Sequence, residues 1–332
     1  MWFKNLQIYR LPQPWPIKME ELEERLATLR FSHCGSQQPT SLGWISPVGN
    51  DLLVHRIGEH WLITLASEQR LLPASVVRQE AEERAEELAL KQGFKPGRKQ
   101  MKELREQITQ EFLPRAFTRR ARMFVWIDPV NGWLGIDAAS QSRADDVLEA
   151  LRKSLDHFPL QPLRTELSPT AAMADWLAGG EAPDGFSIDH DCELKSVTED
   201  KSAVRYVRHA LDGADVRDHL AAGKLPTRLA VTWADRLSFI LTDKGEIKRL
   251  EFLDVIREQL DAHHDEDAAA IFDAGFALMC GELVELLPAL VDALGGEQPP
   301  PELTEQPAFA APSFAAPPVS GSSTADDVPP WQ

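Results

Sequence analysis

The chain has 332 residues, of which 43% are hydrophobic and 26% are charged, and its formal net charge is −17. This length and apolar content favour a folded globular protein with a substantial core and two or three lobes of ordinary size. The start, Met1-Trp2-Phe3-Lys4-Asn5, has no basic segment followed by a long apolar run. We expect no stretch that approaches the roughly 20 apolar residues that cross a bilayer, and we therefore expect a cytoplasmic protein.

A strand, turn, strand and helix pattern occurs three times along the chain. Short turns that contain Gly between alternating apolar residues predict β-hairpins, and the helices that follow predict antiparallel sheets with packed helices, an α+β class. The predicted segments are strands 52–56 and 61–65 with a helix from Ser75, strands 123–127 and 133–137 with a helix that Ser142 opens and Leu155 ends, and strands 237–242 and 247–252 with a helix from about Asp254.

Between the first and second units lies a long helical insertion, 75–113, interrupted at Gly93-Phe94-Lys95-Pro96-Gly97. Glutamates crowd its first arm, whereas Lys and Arg populate its second. A Gly and Pro break between two charged helices predicts a projecting charged helical hairpin that reaches toward a partner. After Gly295-Gly296, Pro, Ala, Ser and Thr dominate, and residues 297–332 are predicted to be a disordered tail.

The acidic total hides a strongly uneven distribution of charge. Residues 91–122 contain ten basic and three acidic side chains, a local charge of +7. Residues 251–297 contain twelve acidic side chains and one basic, a local charge of −11. A cationic surface can therefore coexist with the acidic total, and the net charge alone does not exclude an anionic partner.

Two basic clusters carry the candidate binding residues. The first is Arg115, Arg119, Arg120 and Arg122, with Phe117 among them and no acid between 113 and 122; the second is Lys201, Arg205, Arg208 and His209, with Tyr206 among them and no acid between 201 and 210. Arginine suits phosphate because its planar guanidinium donates two hydrogen bonds at once. A solvated charged face is the alternative for each cluster alone, but two clusters in an acidic protein favour nucleic acid.

Other chemistry has little support. No phosphate-binding P-loop, no G-x-S-x-G and no G-x-G-x-x-G after a strand occurs, and we expect neither catalysis nor a cofactor. Asp189-His190-Asp191-Cys192 contains metal-ligand types, yet neighbours in an extended segment point to opposite sides, which favours a polar segment. Cys34, Cys192 and Cys280 lie far apart, which predicts reduced thiols. No base-reading motif occurs, so binding should depend on phosphate and little on sequence.

The chain resembles the RdgC family over about residues 1 to 297, through short matching stretches in a consistent order. They are Trp2-Phe3-Lys4-Asn5-Leu6 with Tyr9-Arg10-Leu11, Cys34-Gly35-Ser36-Gln37, Gly43-Trp44, Leu72-Pro73, Leu113-Pro114-Arg115-Ala116-Phe117, Trp126-Ile127-Asp128 with Asn131-Gly132, Leu151-Arg152-Lys153-Ser154-Leu155, Ala222-Gly223-Lys224, Lys248-Arg249-Leu250, and Phe272-Asp273-Ala274 with Gly281-Glu282-Leu283.

The resemblance implies a homodimer in which two crescent-shaped subunits form a ring around duplex DNA and restrain RecA-type recombinase, in the cytoplasm and on the nucleoid, with no membrane partner. Phe117 would lie at the contact that closes the ring. Arg115 and Arg119, together with Arg120, Arg122, Lys201, Arg205, Arg208, His209 and Lys224, would contact DNA. The implied division is a central α+β domain at 1–74 and 121–160, a helical tip at 75–120, a base α+β domain at 161–296 and the tail.

Two readings of a different class stay open. One is a Mg²⁺-dependent nuclease, which would need carboxylates beside the basic clusters. The other is a protein-interaction scaffold that uses the charged hairpin and never touches DNA. Whether single-stranded DNA is bound as well as double-stranded DNA is also left open by the sequence.

Overall fold

The computed structural model describes residues 2–155, 158, 160–198, 202–261 and 267–298. Residues Met1–Glu297 group into one compact unit. Of the tail predicted from 297 onward, residues 299–332 lie outside the described residues. Glu297 itself is part of the folded unit, because it bridges to Thr165 and makes a 2.8 Å ion pair with Arg10.

The fold is mixed α+β, with antiparallel strand pairing throughout the named strands. In chain order the elements are β1 (Asn5–Arg10), α1 (Met19–Ala27), β2 (Thr40–Ile45), β3 (His55–Ile57), β4 (His60–Arg70), α2 (Ala74–Gln92), α3 (Arg98–Phe112), β5 (Thr118–Asp128), β6 (Trp133–Ile136), α4 (Gln141–Ser154), β7 (Gln161–Pro162), α5 (Pro169–Gly179), β8 (Phe186–Ser196), β9 (Ala203–Tyr206), α6 (Ala214–Ala221), β10 (Lys224–Trp233), β11 (Leu237–Thr242), β12 (Ile247–Phe252), α7 (Asp254–Asp261) and α8 (Ala268–Ala293).

The strands follow the order β2-β4-β5-β6-β1-β12-β11-β10-β8-β9, with β3 beside β4 and β7 beside β1. β1 joins two halves of this arrangement: Asn5 and Leu6 pair with β12, and residues 7–10 pair with β6. Helices α1 and α4 bury Leu22 and Leu151 against the first half, together with Trp44. The second half has its own core around α5 and α8.

The predicted third unit is confirmed, since β11 and β12 have the predicted bounds. The second is confirmed except for the N-cap of its helix, because α4 begins at Gln141 and its N-cap is Ser140, two residues before the predicted Ser142. In the first unit the predicted strand 52–56 is shorter and begins at His55. The amides of Leu53 and Val54 instead donate to the carboxylate of Glu23 at 2.7–2.9 Å.

The helical insertion consists of α2 and α3, which end and begin at the predicted break. Gly93 ends α2 in the left-handed region at φ 81°, which glycine adopts without a steric penalty because it has no Cβ. The two helices pack through a small core of their own, Val77, Ala81, Leu104 and Ile108. An ion-pair bridge reinforces it, because Arg84 contacts Glu80 at 2.7 Å and Glu111 at 2.8 Å.

Helix α8 corrects one expectation from the sequence. Ala268–Ala293 is long and apolar enough to cross a membrane by length and composition, so the expectation that no such stretch exists was wrong. In the fold, 56% of its apolar window is buried inside the protein, and Phe276, Cys280 and Leu283 are fully buried. These contacts are those of a core helix.

Candidate nucleic-acid interface

The segment that carries Phe117 is a tight turn between α3 and β5. Leu113–Arg115 forms one turn of 3₁₀-helix with Pro114 near its start, and the amide of Ala116 donates to the carbonyl of Leu113 at 3.2 Å. The carbonyl of Phe117 accepts a 2.7 Å hydrogen bond from the amide of Leu71. The Phe117 side chain is 85% exposed, so a well-held backbone presents an aromatic ring to solvent.

Arg70, which the sequence analysis missed, holds this turn in place. Its guanidinium Nη1 donates to the carbonyls of Leu113, Pro114 and Ala116 at 3.1–3.3 Å. Its Nη2 donates to the carbonyls of Cys34 and Gly35 at 3.4 and 3.2 Å. One side chain therefore ties the Cys34 loop to the turn that bears Phe117. No local pattern separates this residue from a solvated arginine, because both sets of acceptors are distant in sequence.

The arginines of the first cluster do not share one surface. Arg119, Arg120 and Arg122 all lie on β5, where successive side chains point to opposite faces of the sheet. Arg120 and Arg122 therefore share one face and Arg119 lies on the other. All three are exposed, as is Arg115 on the preceding turn. The strand brings two of its three predicted residues together.

Arg120 is neutralised by a carboxylate that the local sequence does not reveal. It lies opposite Glu68 on β4, and its Nε contacts Glu68 Oε1 at 2.9 Å. The Glu68 side chain is 3% exposed and also accepts the amide of Cys34 at 2.7 Å. The hydrogen bond from Cys34, then the one from Arg120, lower the pKa of Glu68 to about 2, against a loss of hydration that raises it. The charge of Arg120 is therefore balanced by Glu68 within the fold, which makes this arginine less available to phosphate than its unpaired neighbours.

Cys34 is bound to the same carboxylate residue. Its thiol lies 3.4 Å from the Glu68 carbonyl, to which it donates. Burial and then the charge of Glu68 raise the pKa of the Cys34 thiol, which keeps it protonated and unreactive. Cys192 and Cys280 are buried, and burial raises the pKa of Cys192 to about 12 and that of Cys280 further.

The second cluster has acids beside it in space, although it has none in its own sequence. Arg205 on β9 lies opposite Glu193 on β8. The amide of Arg208, at φ 52°, donates to Asp191 Oδ1 at 2.9 Å. A non-glycine residue at positive φ is uncommon, and this carboxylate helps to hold it there. Two carboxylates of β8 therefore lie beside a cluster whose own segment, 201–210, contains none.

Three further predicted residues complete this region. The His209 amide donates to the carbonyl of His190 at 3.0 Å, and its ring centroid lies 5.2 Å from that of Tyr206. Lys224 Nζ lies 3.4 Å from His219 Nδ1. Lys201 lies outside the described residues. The DNA-contact role of each of these residues stays a prediction.

The segment 189–192 forms part of β8, and each side chain has its own surroundings. Asp189 accepts from Thr232 at 3.0 Å and from Ser238 at 3.3 Å, while Cys192 is 3% exposed in the core. The segment is extended as expected, but the register of β8 against β10 shifts between the pairs Val231–Ile188 and Leu229–Cys192. A strict alternation of side-chain directions here stays a prediction. Over the ranges that the structure describes, no group of three or more His, Cys, Asp or Glu side chains is arranged to hold a metal ion.

The two clusters are widely separated along the sheet of one chain. Six strands separate β5 from β9 in the sheet order. At a strand spacing of about 4.8 Å, the path between them along the sheet is about 34 Å. One chain therefore carries two separate basic clusters, and a ligand that contacts both would need a binding surface of about that length.

Comparisons with known proteins identify the family. The RdgC family model, described as "Putative exonuclease, RdgC", matches residues 1–297. The Recombination-associated protein RdgC of Dechloromonas aromatica is 56% identical over 303 residues, which cover 90% of this chain and 98% of that protein. Proteins of the same name from Herminiimonas arsenicoxydans and Cupriavidus necator are each 52% identical, over 90% of this chain and 99% of their own. The chain therefore belongs to the RdgC family of recombination-associated proteins.

Proposed function

We propose that this chain binds duplex DNA without sequence preference, that two copies close into a ring around the duplex, and that the bound ring restrains RecA-type recombinase. The printed name of the relatives, recombination-associated protein, supports a role on DNA. Arg115, Arg119 and Arg122 support it too, since all three are exposed and have no ion pair with any described residue. Unpaired guanidinium groups are suited to phosphate oxygens.

The observation that carries the proposal is Phe117. Its ring is 85% exposed, while the backbone on both sides is fixed by Arg70 and Leu71. Burying a phenylalanine side chain contributes about 1.5–3 kcal/mol, and a pre-organised anchor loses little entropy on binding. In a twofold dimer the same residue acts from both subunits, so a small contact gains two anchors. Such a contact can close and reopen.

A ring reconciles DNA binding with a net charge of −17. Topological enclosure needs few strong contacts, provided that arginines line the inside. Acidic residues on the outside repel phosphate and disfavour adhesion from the side. On this proposal the protein acts in the cytoplasm on nucleoid DNA, and it hinders recombinase by occupying the duplex.

A second candidate is a Mg²⁺-dependent nuclease, which the printed family description favours. It needs carboxylates that are available to a metal beside the arginines. The neighbouring carboxylates are already engaged: Glu68 by Cys34 and Arg120, Asp191 by the Arg208 amide, and Glu193 by Lys195 at 2.7 Å. These contacts support binding without catalysis.

A gel-shift titration on random-sequence duplex, with and without Mg²⁺ and with product analysis, tests these readings. Five arginines per subunit (115, 119, 122, 205 and 208) could neutralise at most about ten phosphates in a dimer, so the log–log salt slope should be no steeper than about −9. Arg119 and Arg122 lie on opposite faces of the sheet, which makes a shallower slope the expected result. We expect a shift, intact DNA and little sequence preference. Mg²⁺-dependent cleavage would establish the nuclease instead. If no shift occurs even at low salt, the protein-interaction scaffold is the hypothesis that remains.

The recombinase part of the proposal has its own readout. Preloading the duplex partner with this protein should slow RecA-catalysed strand exchange in proportion to the fraction of duplex bound. Strand exchange at an unchanged rate on fully bound duplex would refute restraint of the recombinase while leaving DNA binding intact.

A further inference from the structure

A cationic groove lies between the helical pair and the end of β4, beside the turn that carries Arg115 and Phe117, and none of the predicted DNA-contact residues lines it. It has a volume of about 390 Å³ and contains three arginines, Arg70, Arg78 and Arg105, and no carboxylate among its lining residues. Its apolar lining includes Leu72, Val77 and Leu113. The combination of concentrated positive charge and an apolar floor in one concave site is uncommon for a merely solvated surface.

None of the three groove arginines forms an ion pair with a described residue. Three other cations of the same helical pair have acidic partners, since Arg84 contacts Glu80 and Glu111, Lys99 lies 4.0 Å from Glu103 and Lys102 lies 3.7 Å from Glu106. Lys91 and Arg98, which do not line the groove, have no ion pair with any described residue. Arg78 and Arg105 are exposed and have no ion pair with any described residue. Arg78 and Arg105 line one groove that has no carboxylate among its lining residues, so both charges are available to a group that enters it.

Arg70 adds a third charge and an unsatisfied donor. Its two terminal nitrogens bond to neutral carbonyls, so none of these contacts cancels its charge. Its Nε is buried and has no hydrogen-bond partner within the described part of the chain. A buried donor without an acceptor costs free energy. Because Nε is enclosed, what Arg70 offers to a group in the groove is its uncancelled charge.

We infer that this groove docks an acidic peptide segment of a partner protein, with Asp or Glu side chains on the three arginines and an apolar side chain on the Leu72 floor. A peptide suits the site better than a duplex. Phosphates of duplex DNA lie on a convex rod and bring no apolar group into a concavity, whereas an extended peptide offers carboxylates and apolar side chains in turn. Arginine clusters recognise acidic motifs through paired hydrogen bonds. The inference is independent of the proposed DNA ring.

The test uses a fluorescein-labelled nonapeptide of Asp, Leu and Phe and measures its fluorescence anisotropy with the full chain. Two control peptides replace every Asp by Asn, or every Leu and Phe by Ser. We expect saturable binding of the first peptide and at least tenfold weaker binding of each control, because the charged hydrogen bonds and the apolar floor are both required. Equal binding of all three peptides, or no binding of the first, overturns the inference.

Variants locate the site. Arg78→Glu with Arg105→Glu should weaken peptide binding by at least about tenfold, and Arg78→Gln with Arg105→Gln by less, since charge is removed and not reversed. Lys99→Glu with Lys102→Glu is the matched control, because it changes the net charge of the protein by the same amount. Both lysines lie on α3 outside the groove, with side chains that are 91% and 78% exposed. An equal loss of peptide affinity in the control variant would show that the peptide is attracted by the overall charge of the protein, and it would overturn the assignment of the site to this groove.

Two further measurements separate the occupants. Duplex DNA binding should be unchanged in Arg78→Glu/Arg105→Glu, and so should the molecular mass in sedimentation. A parallel loss of duplex binding without peptide binding would assign the groove to DNA, and a change in mass would assign it to a second copy of this chain. Either result overturns the peptide inference. Failure of the peptide assay with normal duplex binding leaves the DNA proposal standing.

Discussion

Arg70→Met should destabilise the fold and loosen the turn that presents Phe117. Methionine keeps much of the length of arginine but removes every donor. Three of the five carbonyls that Arg70 contacts, those of Leu113, Ala116 and Cys34, are in part-buried hydrogen bonds. Each would lose a partner, whereas the exposed carbonyls of Pro114 and Gly35 would be rehydrated. At about 1 kcal/mol for each part-buried bond, the loss is about 3 kcal/mol.

Removal of the unsatisfied Nε offsets part of this loss, so a net decrease of about 2 kcal/mol in the free energy of unfolding is expected. Urea denaturation followed by tryptophan fluorescence measures it. Arg122→Met is the matched control, because the Arg122 side chain is exposed on the neighbouring strand and has no hydrogen bond or ion pair with a described residue. It should change stability by less than about 0.5 kcal/mol.

Hydrogen exchange gives the local part of the prediction. The amide of Leu71, which donates to Phe117, should exchange faster in Arg70→Met and at the wild-type rate in Arg122→Met. If Arg70→Met is as stable as the control and Leu71 stays protected, Arg70 does not hold the turn.

Three other predictions concern the scaffold. Gly43→Ala should lower the free energy of unfolding by about 2–4 kcal/mol, since a Cβ there would lie 2.5 Å from Phe31 Cα. Gly97→Ala is the control, because its Cβ would meet nothing within 4 Å, and equal urea midpoints for the two variants would contradict the prediction. Ser154→Ala should cost about 1–3 kcal/mol in the same assay, because it removes the 2.9 Å acceptor of the buried Trp44 Nε1, and wild-type stability would show that the bond contributes nothing. Glu68→Gln should lower the thermal midpoint at pH 7, and the difference from wild type should shrink as the pH falls from 4.5 toward about 2, because a carboxyl with a depressed pKa stabilises the fold only while it is ionised. A difference that does not change with pH would show that the charge of Glu68 does not stabilise the fold.

The sequence predicts hairpins well where the pattern is local. The alternation around Lys244-Gly245 predicts β11 and β12 to the residue, since each strand and its turn lie within one short segment. The predicted strand at 52–56 fails for the opposite reason. Glu23 of α1 binds the amides of Leu53 and Val54 and replaces a strand partner, and that contact spans 30 residues.

The candidate site shows the same limit. The arginine run before Met123 has no apolar alternation, so the sequence does not show that β5 begins at Thr118 and places Arg119 and Arg120 on opposite faces. Nor does it show which acids lie nearby, because Glu68 and Glu193 come from neighbouring strands. Exposure of Phe117 between basic residues was the part that local sequence could suggest, and the structure describes it as 85% exposed.

The most direct test of the proposed ring is retention on circular DNA. Protein is loaded on covalently closed circular duplex at low salt, washed at high salt to suppress phosphate contacts, and the retained fraction is compared with that on linear duplex of the same length. Wild-type protein should stay on the circle and leave the linear duplex through its ends. Phe117→Ser should leave both, while Phe94→Ser, at a loop aromatic that is 62% exposed, should behave as wild type. Equal retention of wild type and Phe117→Ser on the circle would contradict closure through Phe117.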